Sequence, residues 1–164
     1  MACTRADDTM SPMSDHAVTI ALQLRWGDMD INSHINNVAI ARLLEESRVR
    51  AMPRLIAAGP AAPRTDDATA TGTGLVVVRQ EVEFLATIPY SEDDIMASVW
   101  LSRVGRSSFE FGSVLADASG RRFVQAETTL VCVDPEGAPT AMPEHLVTAM
   151  RDRLDEPVAL RRRA

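Results

Sequence analysis

The sequence predicts an α+β domain: one long helix covering one face of an antiparallel sheet, with a short second helix near the C-terminal end. Three observations lead there. A single long segment of helical period stands in the first third, strand-like segments fill most of the rest, and the breaks between those strands are short enough to make antiparallel neighbours. With 164 residues and 46% apolar content, one domain with a real core is expected.

The elements follow in chain order. Residues 1–16 are polar and aperiodic and read as a loose tail, ahead of a domain over 17–156 and a basic tail over 157–164. From Ala17 the pattern alternates, with Val18, Ile20, Leu22, Leu24 and Trp26 on one face, as in a half-buried strand. After a polar turn, Ile40, Leu43, Leu44, Ser47, Ala51 and Leu55 keep helical spacing, while Arg42 with Glu46 and Glu46 with Arg50 form i,i+4 pairs on the other side. Pro53 lacks the N–H for the ladder, so a kink or restart is expected there, with an end by Gly59-Pro60. Residues 61–74 read as a loop. Four strands then follow as a meander, over 75–88, 95–104, 107–116 and 121–133, broken at Pro89-Tyr90, Gly105 and Asp117-Ala118-Ser119-Gly120. Beyond Asp134-Pro135-Glu136-Gly137, residues 143–154 form the short helix.

Composition narrows the function classes. All seventeen basic residues are arginine, and 23 acids bring the net charge to −6, which argues against a nucleic-acid footprint. Cys3 and Cys132 lie too far apart in character to suggest a disulfide or a metal cluster, so a reducing compartment fits. No apolar run approaches the ~20 residues of a membrane span, and the first residues lack a signal-peptide pattern. A soluble cytoplasmic protein with no metal or redox cofactor is expected.

The densest chemistry lies in Arg25-Trp26-Gly27-Asp28-Met29-Asp30-Ile31-Asn32-Ser33-His34-Ile35-Asn36-Asn37, between the first strand and the long helix. A helix N-terminus offers free N–H groups and a dipole that favours negative charge, so this is a place to hold an oxyanion. An aspartate is ionised at neutral pH and acts as base or nucleophile without a partner. Each residue here also serves well as a cap or turn former. The cluster, not any single residue, favours function, and Asp28 reads as structural.

Trp26-Gly27-Asp28-Met29-Asp30, followed by His34-Ile35-Asn36-Asn37 and Glu45-Glu46-Ser47-Arg48, resembles the 4-hydroxybenzoyl-CoA thioesterase type of hotdog-fold acyl-CoA thioesterases. The likeness covers roughly residues 19–133. It implies a hotdog domain in which the long helix is wrapped by a curved antiparallel sheet, and a homodimer or dimer of dimers joined edge to edge, with sites at the interface. Asp30 matches the family's catalytic carboxylate, attacking the thioester carbonyl or activating water. The helix-start amide that holds the carbonyl oxygen matches Asn37. His34 completes the catalytic set, orienting substrate or water, and Asn36 joins the substrate-binding set. Arg103 and Arg106 flank the Gly105 turn where relatives carry basic residues near the CoA nucleotide; the fork of arginine suits phosphate.

Departures from the family are Ser33, where a glycine usually precedes the histidine, and Ile40 and Leu43 in place of helix aromatics, which implies an aliphatic acyl wall. Glu45 and Glu46 sit where another hotdog group keeps its catalytic glutamate, but their arginine neighbours indicate a solvated face. Two other functions remain open: a non-catalytic acyl-thioester binding protein, and a hotdog hydratase or dehydratase.

Overall fold

A computed structural model describes residues 16–56 and 74–161. The chain runs β1 (Val18–Leu22), a 3₁₀ turn (Trp26–Asp28), α1 (Asn37–Leu55), β2 (Gly74–Phe84), β3 (Ile95–Val104), β4 (Ser108–Ala116), β5 (Arg122–Val133) and α2 (Glu144–Arg151). The five strands form one sheet in the order β1-β3-β4-β5-β2, every adjacent pair antiparallel.

β3, β4 and β5 are the expected meander, but β2 is not part of it. It pairs with β5 and becomes an edge. The connection over residues 85–94 is too long for a tight hairpin and carries the chain past the ends of β5 and β4; Leu85 and Ala86 donate to the Phe123 carbonyl on the way. Three strand spacings amount to roughly 14 Å, well within its reach.

Alternation along the strands sends Ala97, Val99, Leu101, Phe109, Phe111, Leu115, Val124 and Ala126 inward, where they form the core with α1. The six helix residues picked out by period are all buried, and so is Arg48, at 6% exposure. Burial lowers the pKa of its guanidinium and nearby Glu45 opposes that shift. Helical period alone does not place a charged residue on the inner stripe. The helix continues past Pro53 to Leu55, because a proline in the last turn forfeits only one late ladder bond. The predicted end at Gly59-Pro60, the Cys3 tail and most of the 61–74 loop lie outside the described residues.

One further reading changes. β1 stops at Leu22, and the 3₁₀ turn swings Trp26 outward to 71% exposure, so it does not join the strand's buried face. The segment after α2 packs onto the sheet. Asp155 N–H donates to the Leu101 carbonyl, Trp100 Nε1 to Glu156 O at 2.9 Å, and Gln125 Nε2 to Ala159 O at 3.0 Å, while Arg161 pairs with Glu83 at 3.5 Å. Residues 154–161 thus cross the outer sheet face from β3 to β2. Among the described residues no helix is long and apolar enough to cross a membrane.

Candidate active site

Asp28 to Asn36 fold into a small β-hairpin that runs directly into α1. Asn36 N–H donates to Asp28 O at 2.9 Å and Asp30 N–H to His34 O at 2.8 Å, with Met29 bridged to Ile35 between them. The hairpin is braced from outside: Ile35 N–H donates to the Ile88 carbonyl at 2.9 Å, and His34 is bridged to Pro89. The long β2–β3 connection therefore supports this turn, a role the sequence does not advertise.

Asp30 sits at the exposed end of the hairpin. Its Oδ1 accepts from Asn32 N–H at 2.8 Å and from His34 N–H at 3.2 Å. Those two amides, His34 foremost, hold the carboxyl below the ordinary aspartate range; the Asn32 side chain and the charge of His34 add to the effect. The group is anionic at neutral pH and its orientation is fixed by the turn.

Asn36 is the joint between hairpin and helix. Its Oδ1 accepts from Ala39 N–H at 2.9 Å, capping α1, and its Nδ2 donates to Asp28 O at 2.7 Å. Asn36, expected among the substrate-binding residues, thus has both ends of its side-chain amide bonded to the protein. Of the four first-turn amides of α1, Ala39 is served by this cap and Ile40 by the Asn36 carbonyl. Those of Asn37 and Val38 have no acceptor within the helix, which makes them the donors available to an oxyanion. Arg42 reaches back to Asp28 at 3.6 Å instead of pairing with Glu46, while Arg50 keeps Glu46 at 3.2 Å and also donates to Ala21 O.

Arg103 and Arg106 are not brought to this turn within one chain. The hairpin follows Leu22, opposite Ile95 at the start of β3, whereas both arginines lie at the far end, about 26 Å of strand away. Arg103 pairs with Glu110 on β4 at 3.4 Å. Ile40 and Leu43 pack into the core beneath the sheet.

The Asp30 loop has two counterparts. Asp117 Oδ1 accepts from the Ser119 and Arg121 amides, and Asp134 Oδ1 from those of Glu136 and Ala138. The same closing backbone bonds recur in all three, and the fourth residue of each has positive φ: Ser33 at 62°, Gly120 at 86° and Gly137 at 85°. Recurrence of Asp-x-x-(Gly/Ser) is the sequence signal that marks this loop type. Among the described residues no group of three or more His, Cys, Asp or Glu is placed to hold a metal.

A model of the thioesterase-like superfamily matches residues 24–150. No curated protein matches the chain in sequence. Among solved structures, a thioesterase-superfamily protein from Jannaschia sp. CCS1 superposes with TM-score 0.73 at 19% identity, covering 89% of this chain and 99% of its own. A thioesterase from Thermus thermophilus, complexed with coenzyme A and Zn, gives 0.66 at 23% identity, covering 84% and 92%. A 1,4-dihydroxy-2-naphthoyl-CoA thioesterase from Synechocystis gives 0.69 at 17%, covering 83% and 96%. These likenesses establish the hotdog-type fold.

Proposed function

The chain belongs to the thioesterase-like superfamily, and from that premise we propose that it hydrolyses an acyl-CoA thioester to the free acid and CoA. The observation that carries this reading is the hairpin-to-helix joint, which holds an ionised Asp30 beside a helix start with two amides lacking intrahelical acceptors. Asp30 attacks the carbonyl carbon or takes a proton from the attacking water. The Asn37 and Val38 amides stabilise the tetrahedral oxyanion, an effect worth ~10² to 10³ in rate per donor. Collapse breaks the C–S bond and expels the CoA thiolate; on the water route Asp30 passes it the proton taken from water, and on the nucleophilic route the water that opens the acyl-aspartyl anhydride supplies that proton and frees Asp30. His34, directly opposite Asp30 across the hairpin, orients the water or the thioester.

The working unit is a homodimer through β2. Leu75, Val76, Val77 and Val78 are 38–58% exposed on an edge strand whose outer hydrogen-bonding side has no neighbouring strand among the described residues. A second copy paired there supplies the wall that keeps bulk water from the exposed Asp30. A two-fold axis reverses strand direction, so the Gly105 turn of the second copy, with its Arg103 and Arg106, faces the same end of the continuous sheet as this chain's Asp30. CoA phosphates are the natural ligand for that pair. A Val77→Glu variant is expected to elute as a monomer and to lose hydrolysis.

A thiol-release assay over short, medium, long and aromatic acyl-CoAs tests the reading. Release from at least one class supports it, and silence across the panel overturns it. One observation favours a second reading, an acyl-thioester binding protein without hydrolysis: Asp30 makes the same turn bonds as Asp117 and Asp134. Under that reading, acyl-CoA binds by calorimetry and no thiol appears.

A further inference from the structure

We propose that Asn36 is a positioning residue that sets the rate of the chemical step, by locking the Asp30 hairpin to the first turn of α1. The inference rests on the hydrolytic reading above. Its basis is an excess of bonds at one residue. A helix cap needs only an acceptor, and serine, threonine or aspartate serve there almost as well as asparagine. Asn36 does more. Its backbone N–H and its Nδ2 converge on the single carbonyl of Asp28, at 2.9 and 2.7 Å, while Oδ1 holds the Ala39 amide.

Asparagine alone among side chains of this length has an acceptor and an N–H donor, so the Nδ2 bond is what demands it. Without that bond the direct tie at the junction of hairpin and helix start falls to one backbone bond, Asn36 N–H to Asp28 O, and the Ile88 and Pro89 braces hold the hairpin without holding the helix. The Asp30 carboxylate and the Asn37 amide lie on opposite sides of that junction. Rotation there changes their separation directly, and a misplacement of ~1 Å costs on the order of 10² in rate. Arg42, paired with Asp28 at 3.6 Å, is a weaker second strut because it is largely exposed.

The test is Asn36→Ser, with Asn36→Thr as a second variant; both keep the cap acceptor and remove the Nδ2 amide that reaches Asp28 O, leaving a hydroxyl one atom shorter whose oxygen is taken up by the cap. Three measurements are made: melting temperature, kcat and KM on the best acyl-CoA, and the Asp30 carboxyl titration followed by NMR. The expected result is a melting temperature within a few degrees of wild type, KM within about threefold, and kcat lowered at least ~10-fold. The Asp30 pKa should rise toward the ordinary value as its amide bonds loosen; His34 is the charged neighbour acting on it and is unchanged in these variants. An Asp30 titration and kcat both matching wild type overturn the proposal, as does a kcat loss that only tracks a fall in folded fraction. If the wild type releases no thiol, the hydrolytic reading falls, and the Asp30 titration still decides whether Asn36 holds the turn.

Discussion

The Asp30 and Asp117 loops are built alike and placed differently. Each aspartate accepts the amides two and four residues ahead, and each carboxyl is held below its ordinary range. For Asp117 the Ser119 hydroxyl is the foremost cause and the Arg121 and Ser119 amides assist; for Asp30 the amides of His34 and Asn32 lead. The Asp117 loop merely turns β4 into β5. The Asp30 loop is pinned by Asn36 to a helix start, is propped by Ile88 and Pro89, and places Ser33 where the other two loops have glycine. An aspartate fixed by amides is therefore a turn device first. What sets Asp30 apart is the company of the helix amides beyond the joint.

The sharpest way to break this contrast is to replace both aspartates by asparagine, whose Oδ1 accepts the same amides. Asp30→Asn should lose kcat by on the order of 10³ while still binding substrate, and Asp117→Asn should hold kcat within about twofold. Equal losses in a thiol-release assay would reduce Asp30 to another turn residue. Next come the positive-φ positions. Gly120→Ala and Gly137→Ala should each cost about 1–2 kcal/mol in denaturant melts, since a Cβ is strained there. Ser33 already bears that strain, so Ser33→Gly should be neutral to about 1 kcal/mol stabilising. A stabilised Ser33→Gly with lowered kcat would show that the serine holds its strained place for the sake of the reaction; unchanged kcat would make it a backbone matter alone.

The smallest effect is in pH dependence. Both carboxyls have folded pKa values below the unfolded value of ~3.9, so their stabilisation is complete above it and fades as pH falls through the folded values. The melting-temperature gap between wild type and Asp117→Asn should therefore narrow from pH 6 to pH 3. A gap of constant size would mean that the amide bonds do not depend on the charge.

Much of the fold was legible because burial is periodic. Ile40, Leu43, Leu44, Ser47, Ala51 and Leu55 fell on one helix face, and β3 to β5 fell at their turns within a residue. Partner choice among strands was not, because alternation along β2 is the same whether it pairs with β3 or β5. Only the length of the 85–94 connection hints at the answer. In the site, the Asp30-to-Asn37 cluster was visible as composition. The bond from Asn36 Nδ2 to Asp28 O was invisible, since it depends on which carbonyl a side-chain amide reaches. The separation of Arg103 and Arg106 from Asp30 was equally hidden until register fixed which end of β3 each occupies.

The C-terminal segment that crosses from Trp100 to Glu83 leaves residue 161 beside one border of the sheet, while Val18 lies on the opposite border. In an assembly paired through β2, two fluorophores carried near residue 161 would sit close to the symmetry axis and exchange energy efficiently. Two carried at residue 18 would be separated by about nine strand spacings, roughly 43 Å. Ensemble energy transfer from two singly labelled samples would read the arrangement in solution without a crystal.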